Sequence, residues 1–238
     1  MRIRRKPWAR PELAACPFYI DEPEKLRGGW AQAFERKNPI YLELGCGKGA
    51  FLSQLAPFYR DINFIGLDIK SEMLGLAKRA CEAAYEKENL NADNVLITAF
   101  DIERLPLIMA PPDRVERIYI NFCNPWPKPS QQKHRLVHTK QLLLYREILA
   151  DDGFIVFKTD DDGLFEAALT DYLPQAGFSA VYVTKDLHSA IDLHEAVMPV
   201  QTEHERMFSA MGIPTKLLVA VKSKIHPKAD CENADGGI

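Results

Sequence analysis

Seven residues, Glu43-Leu44-Gly45-Cys46-Gly47-Lys48-Gly49, close an apolar run and open a helical pattern. Glycines at alternate positions permit a tight turn and let a ligand approach the main chain closely. The spacing is G-x-G-x-G, not the G-x-G-x-x-G of dinucleotide sites, and a carboxylate stands two residues before the first glycine. A pyrophosphate placed here would be repelled by Glu43. S-adenosylmethionine has no phosphate and brings an ammonium and a sulfonium, so Glu43, Gly45 and Gly47 favour that methyl donor over NAD. The competing explanation is an acid that merely ends a strand. It is the poorer one, because an unpaired carboxylate in an apolar strand is costly.

Two more acids fall at comparable places. Twenty-three residues past Gly45 a second apolar run ends in Gly66-Leu67-Asp68, and a third ends in Ala99-Phe100-Asp101. Asp68 can accept both ribose hydroxyls of an adenosine. Asp101 can accept from the adenine amino group while Phe100 flanks the ring. Each acid alone could equally be a helix cap. Three at successive strand ends, on the edge where open α/β sheets bind ligands, favour a single adenosine-containing ligand. A fourth run leads into Asn121-Phe122-Cys123-Asn124-Pro125-Trp126-Pro127-Lys128, followed by Lys133-His134-Arg135. Trp126 either stacks on a base or packs beneath its own loop. His134 and His138 are four apart, but no acid lies near them in sequence and Lys133, Arg135 and Lys140 do. That setting suits phosphate and speaks against a metal.

Bringing these strand ends to one edge requires a parallel sheet, and the chain has its rhythm: apolar runs bounded by turn residues alternate with amphipathic segments. The pattern predicts strands near residues 40–45, 62–69, 94–100, 117–122, 154–158, 180–184 and 217–221. It predicts helices near 50–57, 71–87, 140–149, 164–174 and 203–211. Pro23, Gly28, Gly29 and Pro39 interrupt the first segment, so the sheet is expected to start near Ile40. Residues 1–39 then form a basic N-terminal arm, 40–222 the α/β domain, and 223–238 a polar tail without periodicity.

A length of 238 residues suits one α/β domain and is short for two. The first residues carry charge with no apolar stretch behind them, and the apolar runs are strand-sized, so neither a signal peptide nor a membrane span is expected. Five scattered cysteines with no C-x-x-C pair speak for a reducing, cytoplasmic setting. The net charge of −3 hides an asymmetry. Arg2, Arg4, Arg5, Lys6 and Arg10 form one acid-free block, and Lys128, Lys133, Arg135, Lys140 and Arg146 form another. The other twenty basic residues face thirty-three acids, so basic charge is concentrated as a phosphate-binding surface would need. Solvated faces are the alternative use of such blocks.

The string N-F-x-x-P-W-P-K at Asn121 to Lys128 resembles the bacterial tRNA (guanine-N7)-methyltransferase family, whose pattern is N-F-x-D-P-W-P-K followed by a basic stretch. Other stretches resemble that family in order: Arg5-Lys6-Pro7-Trp8, Glu43 to Gly49, Phe157-Lys158-Thr159-Asp160, and Thr202-Glu203-His204-Glu205. The similarity runs from about residue 2 to about Lys222. It implies a Rossmann-like class I methyltransferase: an α/β fold with a mostly parallel seven-stranded sheet and helices on both faces. It implies S-adenosylmethionine contacts at Glu43, Asp68, Asp101 and Asn124. It implies tRNA contacts at Lys128, Asp160 and Thr202, Glu203, His204 and Glu205, with guanine 46 of the variable loop as target. Two positions depart from the pattern. Asp68 stands where the family more often has glutamate, and Asn124 replaces its catalytic aspartate, which puts a general-base role there in question.

The chemistry tolerates the second departure. Guanine N7 has an in-plane lone pair and no proton, so the main task is alignment for an in-line displacement. An amide at Asn124 can orient the base, with less electrostatic support for the cationic product than a carboxylate would give. Guanine presents N1–H and its amino group as parallel donors, which a carboxylate such as Glu205 or Asp160 can accept. Three alternatives compete. An amino-group methyltransferase would use Asn-Pro-Trp-Pro as a carbonyl acceptor; a non-catalytic RNA-binding protein would keep the fold alone; a dehydrogenase is opposed by Glu43 and the glycine spacing.

Overall fold

The computed structural model describes residues 5–223. Its elements are α1 (Ala9–Ala14), β1 (Tyr19–Ile20), β2 (Ile40–Leu44), α2 (Ala50–Leu55), β3 (Asn63–Asp68), α3 (Ser71–Lys87), β4 (Val95–Ala99), β5 (Val115–Asn121), α4 (Thr139–Ile148) and β6 (Leu149–Thr159). They continue with α5 (Asp162–Ala167), α6 (Leu173–Gln175), β7 (Phe178–Thr184), α7 (Glu203–Ala210) and β8 (Lys216–Lys222). The strands form one sheet in the order β1-β4-β3-β2-β5-β6-β8-β7. Neighbours are parallel except that β8 runs antiparallel between β6 and β7. Strand order reverses at β2, which has β3 on one side and β5 on the other. Ligands of open α/β sheets bind at that reversal. Every residue of β2 and nearly every one of β3 is buried, as expected of parallel strands covered on both faces. Helices α1 and α2 pack with α3, while α4 packs with α6.

Seven strands and the main helices lie where the periodicity puts them, and α3 matches to the residue. The strand count does not match: the sheet has eight strands and starts at Tyr19, not near Ile40, because Tyr19 and Ile20 pair with Ile97 and Thr98 at the sheet edge. A two-residue strand carries no alternation to detect. The single helix expected over 164–174 is interrupted by a π turn at Ala168–Tyr172. From residue 224 on, the expected tail lies outside the described residues. Among the described residues, no helix is long and apolar enough to cross a membrane.

Described residues of the N-terminal segment pack into the body of the fold. Ala9 of α1 sits against Gly75 of α3 so closely that a Cβ on Gly75 would stand 2.8 Å from that of Ala9. Trp30 is fully buried and its indole N–H donates to Ile108 O at 2.7 Å. Asp113, also buried, ties the segment down: its carboxylate accepts from the main-chain N–H of Gly28, Trp30 and Ala110. Removing this carboxylate leaves three donors without their acceptor. Asp113→Ala should therefore lower unfolding free energy by on the order of 3 kcal/mol in urea denaturation. An unchanged midpoint would mean that residues 28–30 are not part of the cooperative core.

Candidate active site

Glu43 occupies the next-to-last position of β2 with 3% of its surface exposed. One carboxylate oxygen accepts from Asn121 Nδ2 at 3.0 Å, and the other is buried without a partner among the described residues. Asn121 Oδ1 is likewise buried and without a partner among them. Burial pushes the Glu43 carboxyl up to about 8, opposed by the Asn121 hydrogen bond, with Asp68 adding to the rise and Lys158 countering it. Two unpaired acceptors at one strand edge are unusual in a folded protein. They suit a ligand that brings N–H donors and positive charge.

After β2 the chain turns through Gly45 and Gly47, both at positive φ (+78° and +54°), a conformation open to glycine and strained for other residues. The turn presents Gly47 N–H to Asp68 Oδ2 at 2.9 Å, and Lys70 N–H meets Asp68 Oδ1 at 2.8 Å. Burial raises the Asp68 carboxyl, and these two hydrogen bonds oppose the rise. Asp101, after β4, accepts from Glu103 N–H at 3.0 Å and so caps the following turn. The glycine turn and Glu43 line a cleft with Asn121, Phe122, Thr202 and His204. Asp68 touches this cleft through Gly47, whereas Asp101, Asn124, Lys128, Asp160 and Glu205 are not on its lining.

On the β5 side, Phe122 and Trp126 both adopt positive φ, +52° and +43°, uncommon for side chains of this size. Between them, Asn124 Oδ1 accepts from Trp126 N–H at 3.1 Å, closing a small turn. Arg135 is buried, and its guanidinium donates to Pro125 O at 2.7 Å and to the Tyr172 hydroxyl at 2.9 Å. It holds the loop from within, so it is no longer available to the phosphate surface expected of its basic block. Arg146 also turns inward, donating to Gly177 O. Lys128, Lys133 and Lys140 remain exposed. His134 does have an acid beside it, Glu103 at 2.5 Å, and its ring lies 5.6 Å from that of Trp126. His138 Nδ1 caps α4 by accepting from Lys140 N–H. Among the described residues no group of three His, Cys, Asp or Glu side chains is disposed to hold a metal.

The Thr202–Glu205 stretch opens α7 with a reciprocal cap: Thr202 Oγ1 accepts from Glu205 N–H at 3.2 Å, and Glu205 Oε2 accepts from Thr202 N–H at 3.4 Å. Glu205 is buried and pairs with Lys158 Nζ at 3.3 Å. Lys158, which is in register with Asn121 across β5 and β6, is buried too. Burial pulls its ammonium below the usual lysine range, and Glu205 and Glu43 oppose this. The His204 ring stacks near Phe122, 5.9 Å away and 18° from parallel. Asp160 is half-buried, and its carboxylate makes no hydrogen bond among the described residues, while its main-chain oxygen accepts from Lys216 Nζ at 3.0 Å. Sequence alone gives Asn121 and Lys158 no role of their own. The available signal for Asn121 is parity: Glu43 pairs with Tyr119, so Asn121, two residues further along, points to the same side.

A mostly parallel sheet with one antiparallel strand near its edge, and a glycine turn and carboxylates at the strand reversal, defines a Rossmann-like methyltransferase. Residues 37–218 match the family described as Putative methyltransferase. Over 222 residues the chain is 51% identical to a tRNA (guanine-N(7)-)-methyltransferase of Clostridium beijerinckii, covering 93% of this chain and 99% of that one. It is 50% identical over 228 residues to a protein of the same name from Ruminiclostridium cellulolyticum, covering 95% and 94%. The solved 16S rRNA methyltransferase KamB superposes with a TM-score of 0.59 at 16% identity, covering 82% of this chain and 93% of that one, a likeness of fold. This chain belongs to the tRNA (guanine-N(7)-)-methyltransferase family, and as a methyltransferase it uses a methyl donor.

The Glu43 geometry has a consequence for stability. A carboxyl near 8 in the folded chain and near 4.5 in the unfolded one makes stability fall as pH rises through that window, and the full penalty stands above pH 8. At about 1.4 kcal/mol per pH unit the penalty is on the order of 5 kcal/mol. Without ligand, Glu43→Gln should therefore be the more stable protein at pH 8.5 by a few kcal/mol and nearly equal to the parent at pH 4.5, read by urea denaturation. A difference that does not change with pH would show that Glu43 stays ionised throughout.

Proposed function

We propose that this chain transfers the methyl group of S-adenosylmethionine to N7 of a guanine in tRNA, guanine 46 of the variable loop, in the cytoplasm. The observation that carries the donor assignment is the pair of orphaned acceptors, Glu43 Oε2 and Asn121 Oδ1, beside a glycine turn. An ammonium group offers them three donors and the charge that a buried carboxylate lacks. Gly45 and Gly47 give main-chain access. A carboxylate has about four acceptor directions, so Asp68 keeps room for a ribose after its two main-chain bonds, and Asp101 keeps an oxygen for adenine. Bound there, S-adenosylmethionine supplies an electrophilic methyl group on sulfur.

On the nucleophile side no protein group has to remove a proton. The N7 lone pair would form the new bond to the methyl carbon supplied by a donor held at Glu43, Asn121, Asp68 and Asp101, with sulfur leaving with the bonding electrons and positive charge passing to the guanine. The residues' work is alignment. Asn124 orients the base between donor and substrate sides, and Lys128 takes a phosphate. Asp160, with its uncommitted carboxylate, is better suited to the parallel donors of guanine than Glu205, which is occupied by Lys158 and Thr202. Thr202, Glu203 and His204 then supply the opposing wall, and Glu205 fixes its shape.

The experiment is incubation with unmodified tRNA and labelled donor, followed by nucleoside analysis; label in anything other than 7-methylguanosine overturns the reading. Within it, Asn124→Asp should keep or raise the single-turnover rate, whereas Asn124→Ala should lower it by about tenfold or more, because it loses both the acceptor and the Trp126 tie. Equal rates for Asn124→Ala and the unaltered protein, with only Asn124→Asp fast and showing an acid-limb pKa, would instead establish general-base catalysis.

A further inference from the structure

Lys48 has no part in the assignments above, yet its ammonium meets both carboxylate oxygens of Glu203 at 2.8 Å each. Lys48 belongs to the glycine turn, and Glu203 is the first residue of α7. Close by, Gln54 Nε2 of α2 donates to Gln201 O at 3.2 Å. The turn and α2 thus grip residues 201–205 at two points. Those residues lie over the donor cleft: Thr202, Glu203 and His204 line it opposite Gly45, Gly47 and Met73. The cleft has a volume of about 100 Å³, below the roughly 300 Å³ at which ligand pockets begin. It is therefore room for the charged end of a donor, between the glycine turn and this covering segment.

The segment is held together as a unit. The reciprocal cap between Thr202 and Glu205 and the buried Glu205–Lys158 pair stiffen it, and the His204–Phe122 contact joins it to the substrate loop. Lys48 and Glu203, by contrast, are half-exposed, the setting in which an ion pair is weak and easily reopened. Lys48 holds the Glu203 carboxyl below the usual carboxylate range. We propose that Lys48 is a positioning residue: through Glu203 it draws the 201–205 segment across the filled donor cleft, so that donor retention and completion of the guanine side occur together. This inference rests on the function proposed above.

The test is a double-mutant cycle in the full chain with Lys48→Met, Glu203→Gln and both together, and Lys48→Arg as the conservative variant. Each single change should speed S-adenosylmethionine dissociation and raise KM for tRNA by about two- to fivefold. The combined variant should be no worse than either single one, and Lys48→Arg should recover most of the loss. Thermal midpoints should not move, and the losses should be coupled and recovered by Lys48→Arg, which a merely structural role would not produce. Additive losses in the combined variant, or an unchanged dissociation rate, overturn the role of Lys48 while the unaltered protein still binds donor and methylates tRNA. An unaltered protein that does neither overturns the functional reading and this inference with it.

Discussion

A carboxylate buried at the end of a strand covered on both faces must find partners, and Glu43 has one where it could take more. Much of the sheet edge is arranged around that constraint. Asp68, the neighbouring acid, raises the Glu43 carboxyl further and is itself satisfied by main-chain N–H groups from Gly47 and Lys70. The glycine turn therefore does more than make room for a ligand: it occupies the second carboxylate and leaves the first with Asn121 as its partner. In the ligand-free chain burial disfavours the charged form of Glu43. A cationic ligand would favour it, so the same group that weakens the empty fold would strengthen the filled one. Lys158, buried on the far side, limits the cost without pairing directly with Glu43, because Glu205 holds it.

The strands and the acids at their ends were legible because each is a local pattern: an apolar run, a turn residue, a carboxylate. Helix α3 was legible for the same reason, being long enough for its apolar period to repeat. The N-terminal segment was not. Its helix has six residues and its strand two, and Gly28 reads as a breaker although its N–H is bound to Asp113 eighty-five residues away. Burial of Trp30 depends on Ile108 and Asp113, which no window of sequence contains.

Charge was legible as a count and not as a surface. Five basic residues between 125 and 146 looked like one patch. Folding sends Arg135 and Arg146 inward, where planar guanidinium groups satisfy carbonyl oxygens at Pro125 and Gly177, and leaves three lysines outside. The division follows from side-chain chemistry: arginine offers a fixed fork of donors that can serve several buried acceptors, and lysine a strongly hydrated point charge. His134, which lacked an acid in sequence, acquires Glu103 from the turn that Asp101 caps. Asp101 and the loop after β5 are thereby joined through Glu103, His134 and Trp126.

That loop also gives Asn124 a structural part. Phe122 and Trp126 both sit in the left-handed region, a strain of about 1–3 kcal/mol each that only a well-determined surrounding can maintain. The surrounding is visible: Arg135 on the Pro125 oxygen, Phe122 N–H on the Lys158 oxygen at 2.9 Å, and the His204 and Phe208 rings against Phe122. Within it, Asn124 Oδ1 accepts from Trp126 N–H just as an aspartate oxygen could. The exchange of aspartate for asparagine preserves the acceptor that shapes the loop and removes a charge. Under the function proposed above, a reaction that had to abstract a proton would lose its base with that charge, whereas one that depends on where the guanine is held would not.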